Sequence, residues 1–296
     1  MKETAMCSNY NAVAARGACV AWAVTFAAVL AACSTSPAKA PPIDAAEVGE
    51  IWPGYGVLKG YLAPAELPDS LALLPAPPAE GSAAFADDRA SFVELTALQP
   101  TERGRLARQD AAHAYPGSLR AFSCSLGVEI SATQMPSLAM LMRRTQGDAS
   151  LAPYAAKDRY NRTRPFVTMQ ATSCVPGDEA SLATDGSYPS GHSSVGWAWA
   201  LVLAEVAPER SDAILQRGRA YSQSRAICGV HWKSDIEAGR LVGAATVARL
   251  HASPAFVAQL EAARKEVVVA RAKGVRPTAD CASEAAALTS SMSLSP

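Results

Sequence analysis

The chain carries no excess of charge of either sign: Lys and Arg number 27, Asp and Glu 27, in 296 residues. That balance gives no argument for nucleic acid or an anionic membrane surface as a partner, so basic residues matter only where they converge. Long apolar runs are also scarce. The run Val20 to Ala32 is too short for an ordinary membrane span. The stretch 232–250 is broken by Asp235, Glu237, Arg240 and Arg249, which leave too short an uncharged run to cross a membrane. There is no CxxC pair and no Cys/His cluster at zinc spacing, so no metal site is expected. Alternating β-branched residues are missing too, which argues against a sheet and predicts an all-α fold. Neither an internal repeat nor a clear base-stacking site is visible.

What is present is enough apolar mass, 49% of residues, to build a sizeable core. Helix-friendly composition predicts segments near 87–97, 101–113, 136–146, 150–163, 194–207, 210–226 and 233–251, with breaks at Pro100, Pro116 and Gly147. Trp197 and Trp199 fall at core positions. Ala238, Gly239, Gly243 and Ala244 give one helix a stripe of small residues suited to close helix packing. Residues 61–84 are rich in proline and predict an extended strap, and residues 33–60 a tether. Residues 273–296 turn to Ala, Ser and Thr and predict a loose tail. A single compact helical domain over 61–272 is therefore expected.

The N-terminus reads as a targeting segment, 1–32, with a weakly positive leader and an apolar centre. Leu30-Ala31-Ala32-Cys33 resembles the bacterial lipobox, which implies lipidation of Cys33 and a periplasmic, outer-membrane-anchored protein whose contact with membrane is that lipid alone. Cys124, Cys174, Cys228 and Cys281 then remain. In an oxidising compartment they predict two disulfides, with three pairings open.

Three segments concentrate the chemistry. Gly186-Ser187-Tyr188-Pro189-Ser190-Gly191-His192-Ser193 sets a histidine behind a Gly-rich turn, just before an apolar helical run. Unpaired N–H groups and the helix dipole make such a start an oxyanion or phosphate site. Upstream, Lys157 and Arg164 are seven apart; on one helix that spacing puts both cations on one face, with Pro165 ending the helix or opening an extended segment. Downstream, Ser224-Arg225 precedes His231 and Asp235, four apart, so that on one helical turn the carboxylate reaches the imidazole. A carboxylate on one ring nitrogen fixes the tautomer and leaves the other free to act as a nucleophile. Each motif alone has a plainer reading: a turn histidine, a solvated cationic helix face, an ordinary helix pair. The charge pattern by itself does not say which histidine attacks and which transfers the proton.

Together, Lys157 with six residues to Arg164-Pro165, Pro189-Ser190-Gly191-His192, and Ser224-Arg225 with five residues to His231 and three more to Asp235 resemble the signature of the type 2 phosphatidic acid phosphatase and vanadium haloperoxidase superfamily. Within it, the strings Gly186 to His192 and Ile227 to Asp235 resemble the class A bacterial non-specific acid phosphatases. The resemblance covers roughly Tyr61 to Arg271. Ser193 stands where threonine is common, and Lys233 where glutamine is common.

The resemblance implies a phosphomonoester hydrolase of broad specificity that needs no cofactor. Lys157, Arg164 and Arg225 would bind the phosphate oxygens, helped by Ser190 and Gly191. His231 would attack phosphorus, Asp235 would orient it, and His192 would protonate the leaving group. It also implies an acidic optimum and small-molecule phosphate esters rather than nucleic acid as partners. Related enzymes are often homo-oligomers. The alternative within the same superfamily is a haloperoxidase, with vanadate held as cofactor by the same cations.

Overall fold

Local capping chemistry sets most of the helix starts. Ser82, Thr101, Ser190 and Ser253 each stand in extended backbone, and each side-chain oxygen accepts the amide three residues on. Such a cap stabilises a helix by about 1 kcal/mol. Pro136, Pro165 and Pro254 each occupy a first helical position, where the missing N–H costs nothing.

The computed structural model describes residues 41–112, 115 and 117–292, with side chains up to 289. All belong to one compact unit. The predicted signal segment and Cys33 lie outside the described residues.

Among the described residues there is no strand, only an isolated bridge between Glu50 and Leu58, so the fold is all-α. The N-terminal half holds α1 (Ala45–Val48), α2 (Ser70–Leu73), α3 (Ala83–Thr96), α4 (Glu102–Asp110), α5 (Ser123–Leu126), α6 (Pro136–Leu151) and α7 (Tyr154–Tyr160). The rest holds α8 (Pro165–Thr168), α9 (Glu179–Leu182), α10 (Gly191–Val206), α11 (Ser211–Ile227), α12 (Lys233–Leu250), α13 (Pro254–Ala272) and α14 (Cys281–Met292). No single described helix is long and apolar enough to cross a membrane.

The central element is α10, which packs against α6, α11, α12 and α13. Trp199 on α10 is fully buried and donates its indole N–H to the Met142 carbonyl at 2.8 Å. Phe122 and Tyr221 pack edge-on or tilted around it. Trp197 packs at the margin of the same cluster.

Three expectations need correction. The helix expected over 150–163 is interrupted and then stops at Tyr160, because Asn161 takes a left-handed conformation at φ 38°. Part of the expected tether is packed. Lys59 N donates to Gly49 O at 2.9 Å, Leu58 is buried, and Arg144 donates to the Gly60 carbonyl at 2.6 Å. The expected loose tail contains α14, which packs on α4 and α11 and is tied down by a Cys124–Cys281 disulfide. Its composition hides this, since its apolar residues are mostly alanine and its attachment is a cross-link distant in sequence. Helix α13 is not among the expected segments.

The small-residue stripe on α12 brings α10 very close. A Cβ on Gly239 would lie 2.4 Å from the Ser190 carbonyl oxygen, and one on Gly243 2.4 Å from that of Ser194. Backbone atoms cannot step aside as a side-chain end can. Gly239→Ala should therefore cost about 1–3 kcal/mol through overpacking and push the start of α10 away from α12. Urea unfolding, with orthophosphate binding followed by calorimetry, tests this. Wild-type stability together with wild-type binding would show that the contact is not tight.

Candidate active site

The segment after α7 makes three separate ties. Ser187 N donates to Arg162 O at 2.8 Å, Trp232 Nε1 to Thr163 O at 2.9 Å, and Phe166 N to Gly229 O at 3.1 Å. Gly229 has a φ of +73°, a turn that a side chain would strain. A disulfide between Cys174 and Cys228 closes the same junction. The three signature segments, distant in sequence, thus meet along one short stretch of backbone.

They line one cavity of about 370 Å³, within the size range of small-molecule sites. Its walls include Lys157, Arg164, Arg225, Gly191, His192 and His231. Lys157 and Arg164 do meet, though not on one helix face as the spacing suggests. Lys157 lies on α7, whereas Arg164 lies beyond the end of that helix, and Pro165 opens α8 rather than ending a helix. They converge on Asp185, whose carboxylate accepts from Lys157 Nζ at 3.2 Å and from Arg164 Nη2 at 2.8 Å. Burial pushes the pKa of both cations down, and Asp185 opposes that shift in each.

Arg225 is different. It is buried and makes no hydrogen bond or ion pair among the described residues, and its Nε is left without a partner. Burial, followed by the Arg164 charge, lowers its pKa to about 10. Among the described residues no carboxylate pairs with it directly, and Tyr221, Asp178 and Asp110 oppose the shift only in part; an anion in the cavity would meet the charge.

His231 lies two residues before α12, not on the same helical turn as Asp235. Its Nε2 is 3.0 Å from Arg164 Nη1. A guanidinium can only donate, so Nε2 is the acceptor and the neutral ring carries its proton on Nδ1. That nitrogen is 3.5 Å from Asp235 Oδ2, beyond a normal hydrogen bond, and has no hydrogen-bond partner. Burial drives the His231 pKa well below its ordinary 6.5, helped by the charges of Arg164, Arg225 and Lys157. Both effects favour the neutral imidazole, whose Nε2 accepts from Arg164.

His192 stands at the second position of α10, as the motif predicts. Its ring stacks on Tyr221 at 6.4 Å, and its Nε2 is 3.4 Å from the Ala111 carbonyl oxygen. Gly191 borders the cavity. Ser190 does not: it is fully buried, its amide is taken by the Asp235 carbonyl, and its hydroxyl accepts from Ser193. The expected ligand donor is a helix cap.

Sequence alone misses Arg162 and Asp88. Arg162 donates to Asp235 Oδ1 at 2.6 Å and to Asp88 Oδ2 at 2.7 Å, while Asp88 also accepts from the Ser234 amide and hydroxyl. Arg162 lies two residues before Arg164, a weak signal; Asp88 is 74 residues away and gives none. Trp52, Val57 and Tyr154 line the cavity too, the first two from the stretch expected to be tether. Among the described residues no cluster of His, Cys, Asp or Glu is arranged to hold a metal ion.

An all-α fold whose three signature segments form one cationic pocket around a buried His/Asp pair defines a phosphate-handling class. Residues 139–257 match the PAP2 superfamily. The chain is 44% identical to a non-specific acid phosphatase of Providencia stuartii, covering 70% of this chain and 84% of that one. It is 39% identical to a non-specific acid phosphatase of Salmonella typhimurium, over 70% and 83%, and 38% identical to an acid phosphatase of Zymomonas mobilis, over 71% and 79%. A solved bacterial vanadium-dependent iodoperoxidase is a remote likeness at 18% identity, with a TM-score of 0.46 over 66% of this chain and 58% of that one; it carries no argument. The chain belongs to the class A bacterial non-specific acid phosphatases of the PAP2 superfamily.

Arg162 compensates two buried carboxylates at once. Burial raises the Asp235 pKa, and Arg162 is the first influence that brings it back down. Arg162→Met should cost about 3–5 kcal/mol, because it leaves buried charge unpaired, and should also lower turnover through His231. Chemical unfolding gives the first quantity and steady-state kinetics the second. A loss below about 1 kcal/mol with unchanged turnover would assign the network no role.

Proposed function

We propose that the chain hydrolyses phosphomonoesters through a phosphohistidine at His231, without a metal and in acid. The observation that carries this reading is Arg225, an enclosed guanidinium with no ion-pair partner among the described residues, lining the same cavity as His231, whose Nε2 accepts from Arg164. Lys157, Arg164 and Arg225 neutralise the charge on the phosphoryl oxygens, the task that Mg²⁺ performs in other phosphoryl-transfer sites. Paired N–H donors suit arginine to this. The Gly191 end of α10 adds its dipole.

His231 Nε2 attacks phosphorus in line, and the P–O bond to the leaving group breaks as the P–N bond forms. Asp235 stabilises the positive charge that develops on the ring. His192 gives its proton to the departing alkoxide. It then takes a proton from water, whose oxygen attacks phosphorus, and the P–N bond breaks to release orthophosphate. A depressed His231 pKa keeps the nucleophile unprotonated while His192 is charged, which favours an acidic optimum. Recognition concentrated on the phosphoryl group supports broad specificity. We further propose a lipid-anchored periplasmic location; two intramolecular disulfides support an oxidising compartment.

The nucleophile is tested by trapping. His231→Ala should abolish turnover and remove any acid-labile, base-stable phosphoenzyme, with the wild type fully active in excess chelator. A phosphoenzyme that persists in the mutant would move the nucleophile elsewhere, and loss of wild-type activity on chelation would end the metal-free reading.

The acid is tested by leaving-group dependence. General acid help is typically worth about 10²–10⁴-fold, most for a basic leaving group. His192→Ala should slow phosphoenzyme formation steeply on glycerol phosphate and much less on p-nitrophenyl phosphate, in single-turnover experiments. Equal losses on both would leave His192 a purely electrostatic part.

A further inference from the structure

Arg164 has five N–H donors, and this conformation leaves one. Nε is shared between the Leu182 and Asp185 carbonyls at 2.8 and 2.9 Å. Nη1 serves Val230 O and His231 Nε2, each at 3.0 Å. One Nη2 proton goes to the Asp185 carboxylate at 2.8 Å. Lys157 divides its three donors similarly: Nζ is 3.2 Å from the same Asp185 oxygen and 2.5 Å from Gly186 O. The two cations proposed to grip a phosphoryl group are thus largely committed, and one carboxylate oxygen bridges both.

Burial distinguishes the partners. The side chains of Lys157 and Arg164 are 6% and 2% exposed, whereas that of Asp185 is 45% exposed. The cations are fixed in the wall; the carboxylate stands at the rim and can swing into solvent without opening the core. Asp185 directly precedes Gly186, at the head of the turn that leads to His192. A phosphoryl oxygen and the Asp185 oxygen would need the same N–H donors, and two anions on one pair of donors repel each other.

We propose that Asp185 is an internal occupant of the phosphate subsite, a carboxylate that substrate must displace and that helps expel orthophosphate after hydrolysis. It sets ligand affinity rather than taking part in bond making. This rests on the phosphatase reading for the location of the subsite. It also accounts for Arg164 capping the His231 lone pair: when Asp185 leaves, the guanidinium regains a donor for phosphate and can release Nε2.

The test is direct binding of orthophosphate and vanadate by titration calorimetry to the wild type, Asp185→Asn and Asp185→Ala, with thermal melting to check folding. A competitor predicts tighter binding in both variants, about three- to thirtyfold, the scale of one partly exposed charge-assisted contact. A residue that instead orients the cations predicts weaker binding, and a bystander predicts binding within twofold of wild type; either result overturns the proposal. A structural effect of the asparagine alone would not recur with alanine. Calorimetry needs no turnover, so the two readings fail separately. An inactive chain that binds orthophosphate more tightly after Asp185→Asn keeps this inference and loses the mechanism. An active chain whose binding is not tightened loses only this inference.

Discussion

The site hangs on Asp235, a carboxylate with no exposure to water. Its side chain accepts from Arg162 in the first signature segment and from the Trp232 amide in the third. Its backbone carbonyl accepts from Ser190 in the second. One residue therefore ties together the three segments that form the cavity. A buried carboxylate is tolerable only when its charge is met, and Arg162 meets it while also holding Asp88. Asp235 cannot move without breaking the helix cap, the ion pair and the junction between α10 and α12.

Around that anchor the cavity is deliberately unbalanced. Three enclosed cations face it; Asp185 answers two of them at close range, and the exposed Asp178 also lines the cavity. Enclosing these charges is costly for the folded protein: burial lowers the pKa of each cation. Burial disfavours a charge on His231, and the same three cations add to that by repelling a fourth positive charge there. The glycine-lined crossing of α10 and α12 and the Cys174–Cys228 bridge contribute geometry rather than charge.

Much of this was legible in residue order. Helix-friendly composition announces most of the long helices, though not α13, and the small residues of α12 announce close helix packing. The lining residues Lys157, Arg164, Arg225, Gly191, His192 and His231 follow from motif spacing. Boundaries were harder. Asn161 ends α7 early by a left-handed turn, and that break, not a shared helix face, decides how Lys157 and Arg164 meet. Helix α14 looked like tail because its attachment is a covalent bond to Cys124, 157 residues away.

The sequence by itself determined the chemical inventory: which cations, which imidazoles, which carboxylate, and an all-α scaffold to carry them. These are local properties, fixed by residue type and short-range spacing. Only the tertiary structure decided that Ser190 is a cap rather than a ligand, that Arg162 and Asp88 stand behind Asp235, which cysteines pair, and that Asp185 sits on two of the cations. Each of these depends on contacts between residues far apart in the chain or on which donors are already spent. Spacing carries neither kind of information, because burial and hydrogen-bond competition exist only once the chain has closed on itself.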